Sequence, residues 1–376
     1  MVNSFNRPLL SVVLANLLFL LASFSVSVSA QENPNMDGIP AKVAADYIHS
    51  VIVASREFYS SQIVGRLEKA ISLRATENWK DENALPLPAQ FLKLSAKNTS
   101  DLGIGLKIRL IGLDPINKEN SPVTDLETLG LQGLNSNKEQ PFTWMVQRQG
   151  VWTFQAIYPD LATSESCVNC HNAHPKSARK DYKVGDVLGG ILINLPLSNV
   201  PLTAKGISGE GDVFRVPPQV VSDYIHAALE SDRHVYTEYI VKRMKAANVV
   251  NASESWIDQN ALPLPAQFLL NTSVLARKNK SGLDFRLISL WPINFNNSAA
   301  NEFERNALVA VTINPLRPYL GKTRRGRVNY FQAIYPDFAV SESCVECHNS
   351  HPKSPKKDFQ LDDLMGGMVV SFPMSK

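Results

Sequence analysis

The sequence is short of net charge, of cysteine and of long apolar runs, and each scarcity excludes something. Lys and Arg number 38 and Asp and Glu 35, a formal charge of +3 over 376 residues. No Lys/Arg stripe interleaves with aromatics, so nucleic acid is not an expected partner. The basic run from Lys322 to Arg327 reads as a solvated loop, with a docking patch for an acidic partner as the second reading. Only Leu9 to Phe24 is apolar over an extended stretch, and it falls short of the ~20 residues of a comfortable membrane span. Arg7 precedes it and Val28-Ser29-Ala30 follows, so residues 1–30 read as a secretory signal peptide cut after Ala30. An uncleaved anchor is the alternative. The expectation is an exported, soluble, periplasmic protein with no membrane span after cleavage.

The four cysteines all lie in two near-copies of one string, "SESCVNCHNAHPKS" from Ser164 and "SESCVECHNSHPKS" from Ser341. No cysteine is spare. The copies belong to a larger duplication with a constant offset, 344 − 167 = 177. The same offset relates "DYIH" at Asp46 and Asp223, "ALPLPAQF" at Ala84 and Ala261, Arg109 and Arg286, and "FQAIYPD" at Phe154 and Phe331. So long a period is a duplicated domain rather than a solenoid repeat. The first copy is placed at residues 40–197 and the second at 217–376. The segment 198–216 between them, rich in Pro, Gly and Ser, is expected to be an exposed linker.

Each copy begins with a helical pattern. Ile48, Val51, Ile52, Ser55, Tyr59, Ile63 and Leu67 recur at near-helical spacing, as do Ile225, Ala228, Leu229, Asp232, Tyr236, Ile240 and Met244. "LPLPAQF" breaks the helix, and a second helix is expected after Pro88. The later segments "LKIRLIGL", "VWTFQAIYP" and "GGILINLP" read as strands. Helices followed by strands imply an α+β fold with an antiparallel sheet. The cysteine motif is expected in a loop between the last two strands.

Cys-x-x-Cys-His is the attachment signature of c-type haem. Two cysteines form thioethers with the porphyrin, and the adjacent histidine binds the iron. Cys167, Cys170, Cys344 and Cys347 are the candidate attachment residues, with His171 and His348 as proximal ligands. Two covalently attached haems follow. A disulfide in each motif leaves the histidine unexplained. A thioredoxin-like pair needs a strand-to-helix setting, and zinc on Cys167, Cys170, His171 and His174 needs neighbouring residues to reach one metal. For the sixth iron position the recurring candidates are His49 and His226 on the opening helices, or an open site. Their plainer reading is a helix-flank histidine. Arg56 and Arg233, one or two turns on, are candidate partners of a haem carboxylate or merely solvated. Tyr158 and Tyr335 either line the pocket or are ordinary strand aromatics. His174 and His351 read as loop residues or propionate contacts.

These strings together, "YIHxxxxxxR", "ALPLPAQF", "RLIxLxPIN", "FQAIYPD" and "SESCVxCHNxHPKS", resemble a family of exported haem-binding domains similar to PAS domains that carry covalent haem c. The resemblance spans nearly all of both copies. It implies two tandem PAS-like domains, each with a long N-terminal helix over an antiparallel sheet. It implies the same attachment and proximal residues. Some members place a cysteine on the opening helix as second axial ligand, and this chain has none there. The expected function is a di-haem protein of electron transfer or of redox or gas sensing, with a di-haem peroxidase as the alternative. An electron-transfer or sensor role is favoured over an enzyme. A periplasmic redox partner or signalling protein is expected, with a homodimer or an internal pseudo-dimer as the assembly.

Overall fold

The computed structural model describes residues 38–148, 150–197 and 214–374. The expected signal peptide and residues 198–213 of the expected linker lie outside them. Each copy opens with the long helix its apolar spacing predicts. Ala41–Phe58 continues through a π-helical turn, Tyr59–Gly65, into Arg66–Ile71. The second copy repeats this as Pro218–Val235, Tyr236–Lys242 and Arg243–Ala246. Ile48, Val51, Ile52, Ser55, Tyr59, Ile63 and Leu67 are all buried, as the spacing requires. The π turn leaves Tyr59 pointing inward, its hydroxyl donating to the Pro86 carbonyl at 2.6 Å, and Tyr236 does the same to Pro263.

After "LPLP" the helix Pro88–Asp101 starts as expected. Proline occupies its first position, where no N–H is needed, and the Leu87 N–H is met by Gln90 Oε1 at 2.9 Å. Four antiparallel strands follow in the spatial order Lys107–Ile111, Val187–Pro196, Val151–Leu161, Phe142–Arg148. The second copy repeats the order with Asp284–Ile288, Leu364–Pro373, Val328–Phe338 and Tyr319–Arg325. The glycine pair of the closing strand has a steric cause. A Cβ on Gly189 would lie 2.5 Å from the Ile111 carbonyl oxygen, and one on Gly366 would lie 2.2 Å from that of Ile288. Residues Phe142–Arg148 and the helix Asp125–Ser136 were not anticipated from sequence. The helix is capped by Thr124, and its Leu131 and Leu134 cover Ile111, Ile157 and Leu192 on one sheet face. The opening helix covers the other face.

Two expectations are corrected. The basic run is not a loop, since Lys322 to Arg325 belong to the strand Tyr319–Arg325, which turns back at Gly326. The cysteine motifs are not in loops; they form the helices Glu165–Ala173 and Glu342–Ser350, still between the last two strands. An acidic residue begins each first turn, and Pro175 and Pro352 follow the last. The expected linker also ends in structure, since Arg215–Val216 pairs antiparallel with Ile39–Pro40.

The two copies share a core. Phe58, Tyr59, Ile63, Leu67 and Phe91 of the first pack with Val235, Tyr236, Ile240, Met244 and Phe268 of the second. The contacts are reciprocal. Arg66 donates to the carbonyls of Trp256 and Ala261 and stacks 4.8 Å from the Trp256 ring; Arg243 donates to Trp79 and Ala84 and stacks 4.7 Å from Trp79. Tyr47 donates to Pro373 O and Tyr224 to Pro196 O. Such pairing of i with j and j with i is the signature of a two-fold arrangement, here within one chain. At this seam Asp232, the counterpart of Ser55, is buried. Burial pushes its carboxyl up to about 7, against the opposing pull of the Ser55 and Ser95 hydroxyls. Its Oδ2 has no hydrogen-bond partner.

Candidate functional site

The site of each copy lies where the opening helix, the third sheet residue set and the motif helix meet. Along Val151–Leu161 side chains alternate between faces, so Tyr158 and Asp160 point to the opening helix while Ile157 points away. Tyr158 stacks flat on His49, centroids 3.9 Å apart at 11°. Its hydroxyl donates to Asp46 Oδ1 at 2.8 Å. Tyr335 repeats both contacts, stacking on His226 at 3.9 Å and 10° and donating to Asp223 at 2.7 Å. The tyrosines therefore line the site and fix the histidine rings.

Arg56, seven residues after His49, is ion-paired with Asp160 and mostly buried. Arg233 is held by Asp337 at 2.7 Å and by Glu230 at 2.8 Å. Burial alone would lower the Arg233 pKa, but these two carboxylates outweigh it and raise it. Sequence reading assigned neither arginine a protein partner. Asp160 and Asp337 close the recurrent "FQAIYPD" string, and that recurrence was the signal that could have singled them out.

Burial, then the charge of Arg56, pushes His49 down to about 3. Burial, then Arg233, does the same for His226, with Asp337 opposing. Both imidazoles are thus neutral near pH 7, the form that ligates metal. His49 Nε2 is shut off from solvent with no hydrogen-bond partner. An orphaned imidazole nitrogen of this kind is costly unless another group occupies it.

The motif helix faces the same place. His171 lies within electrostatic reach of both Asp160, which raises its pKa, and Arg56, which lowers it. Burial is the largest influence on His171 and on His348, lowering both. His171 stands edge-on to Tyr182 at 5.7 Å, and His348 to Phe359 at 5.6 Å. His348 Nδ1 is buried without a hydrogen-bond partner.

His174 and His351 are used otherwise. Each accepts a backbone N–H at Nδ1, from Lys176 at 3.2 Å and Lys353 at 3.1 Å. Nε2 then carries the proton and faces Glu77 at 3.3 Å or Glu254 at 3.2 Å. These pairs tie the segment after each motif helix to the turns 77–83 and 254–260, which lie between the opening helix and the second helix of each copy.

The structure also bears on the rival readings. A strand does precede each motif helix, so the thioredoxin alternative does not fail on context. It fails to gain support from the thiols: burial, then Glu77 and Glu254, raises Cys170 and Cys347 above the ordinary range, whereas redox pairs lower theirs. The four cysteines are not joined by disulfides. Among the described residues no three His, Cys, Asp or Glu side chains converge as a metal ligand set, which leaves the zinc reading without geometry.

The profile of the Tll0287-like family (Tll0287) matches residues 40–196 and again residues 220–373. The chain belongs to the Tll0287-like family, as a tandem pair. Among solved structures, the crystal structure of the cyanobacterial heme-protein Tll0287 is similar at 17% identity and a TM-score of 0.27. The match covers 41% of this chain and 91% of that one. No match among curated proteins was found. Within this Tll0287-like chain the two matched regions coincide with the two sites just described. Among the described residues no helix is long and apolar enough to cross a membrane.

Proposed function

We propose that each copy of this protein carries one haem c, two in all, bound through Cys167 and Cys170 and through Cys344 and Cys347. His171 and His348 would supply one iron ligand in each copy, and His49 and His226 a second. The single observation that carries this reading is the buried, neutral His49 with an unused Nε2, in a copy that also carries a Cys-x-x-Cys-His helix; the second copy repeats the helix and the buried, neutral imidazole at His226. The description of the solved relative as a heme protein is in keeping with it. Haem iron, when bound, supplies a one-electron couple. Two such sites in one unit suit electron transfer in the periplasm after export, with a redox partner outside the chain.

The protein's own groups set the conditions. Tyr158 and Asp46 lock the orientation of His49, and Arg56 with Asp160 supplies a buried, overall neutral ion pair beside it. Arg56 and Arg233 reach a haem carboxylate only by sharing their guanidinium with the carboxylates they already hold. Two neutral histidines per copy would leave a bound iron no open position, which favours electron transfer over gas sensing.

The test is the full-length chain made in cells that mature c-type cytochromes. Its mass should exceed the processed polypeptide by two haems, and its reduced spectrum should not respond to carbon monoxide. His49→Ala and His226→Ala should each make half of the haem responsive. A full response of the unaltered protein would reject the ligand assignment and favour sensing. A polypeptide mass without added haem would reject the attachment.

A further inference from the structure

On the sheet face away from the histidines, beside the start of the helix Asp125–Ser136, the first copy forms a half-open groove of about 310 Å³. Three cations line it, Lys107, Arg109 and Arg148, against one carboxylate, Glu127. Arg109 is paired with Glu127 at 2.9 Å. Among the described residues neither Lys107 nor Arg148 has a carboxylate within ion-pair distance. Two positive charges therefore face the groove uncompensated. Gln155 and Asn194 supply neutral polar groups on its floor.

The second copy is a control built into the same chain. Asp284 stands at the position of Lys107 and Tyr330 at that of Thr153. Arg325, the counterpart of Arg148, lies 4.0 Å from Asp284, donates to Ser371 Oγ at 3.2 Å and stacks 4.7 Å from the Tyr330 ring. Asp284 is also 3.6 Å from Arg277. Asp284 thus matches Arg325 there, and Tyr330 takes the place of Thr153. The copies have diverged at the residues that decide whether this face is filled or open.

We propose that the open face of the first copy is a binding site for a small organic dicarboxylate. Lys107 and Arg148 lie on the two outer strands, three strand spacings apart across the sheet and four residues apart along it, a backbone separation of roughly 19 Å. Long side chains leaning in from opposite rims suit two separated carboxylates rather than one compact anion. Thr153 in place of tyrosine leaves the room. Gln155 Nε2 donates to Asn194 Oδ1 and Asn194 Nδ2 to the Lys107 carbonyl, so each amide keeps one N–H for the ligand's remaining oxygens. The site involves neither motif helix nor opening helix, so it stands whether or not haem is bound.

Succinate, titrated calorimetrically into the full chain at low ionic strength, is the probe, with the monoanion succinamate as charge control. One site per chain is expected, with succinamate binding more weakly. The double variant Lys107→Asp/Thr153→Tyr, which installs the residues of the second copy, should weaken succinate about tenfold or more, as expected for loss of a charged hydrogen bond. The reverse double variant, Asp284→Lys/Tyr330→Thr, should create a second site, and it decides the matter if the first variant fails to fold. Absence of succinate binding to the unaltered chain would overturn the proposal. Equal binding of succinate by the first variant, or no added site in the second, would do the same.

Discussion

Asp232 offers a test in which the structure sets both sign and size. Its carboxyl sits at the seam between the two copies, where burial lifts it from 3.8 to about 7. The folded protein therefore holds a proton that the unfolded chain has already released. Stability contributed by the neutral form is fully present below pH 4 and is lost as pH rises to about 7, the region in which only the unfolded chain is ionised. A shift of roughly three units at 1.36 kcal/mol each amounts to about 4 kcal/mol at pH 8. No charged side chain contributes to the shift, only Ser55 and Ser95 on elements of the first copy, so no counter-ion offsets the cost. Asp232→Asn keeps the shape and removes the ionisation. Urea denaturation midpoints of both proteins across pH 4 to 8 should coincide at the acid end and diverge steadily, the variant gaining up to about 4 kcal/mol at pH 8. Parallel curves would mean that the carboxyl is either solvated or already ionised in the fold, and the account of the seam would fail. Asp232→Ser, which installs the residue of the first copy, should flatten the profile in the same way.

Other expectations follow from buried charge and close packing. Arg56→Ala leaves Asp160 buried without its partner and should cost about 3–5 kcal/mol in denaturant unfolding, while Arg56→Ala/Asp160→Ala should recover much of it. A full additive loss in the double variant would refute the pairing argument. Gly366→Ala drives a methyl group into the Ile288 carbonyl oxygen and should lower stability by about 1–3 kcal/mol, read as a fall in melting temperature. An unchanged melting temperature would show that the two strands separate freely at this point.

A good part of this protein is legible in its sequence because it is written twice. The offset of 177 locates two copies of one unit, and the apolar spacing from Ile48 to Leu67 specifies the opening helix down to which residues are buried. The Cys-x-x-Cys-His strings and the recurrence of His49 and His226 mark the candidate ligands. The motif's own conformation was misjudged, since a loop was expected where Glu165 and Pro175 bound a short helix. The helix Asp125–Ser136 was missed because its apolar residues are spaced among glycines and polar residues with a weak period.

What only the tertiary structure decided concerns partners far apart in the chain. No local pattern shows that Asp160 neutralises Arg56 across 104 residues, that Tyr158 stacks on His49, or that His174 is turned to Glu77. Nor can it show that Asp232 is enclosed between two copies, because the same residue on the same helix would be an ordinary surface carboxylate if the copies stood apart. Periodicity and motif spacing report the short-range geometry that covalent structure imposes. Which charges meet, and which are shut away from water, depends on how the two halves close upon each other.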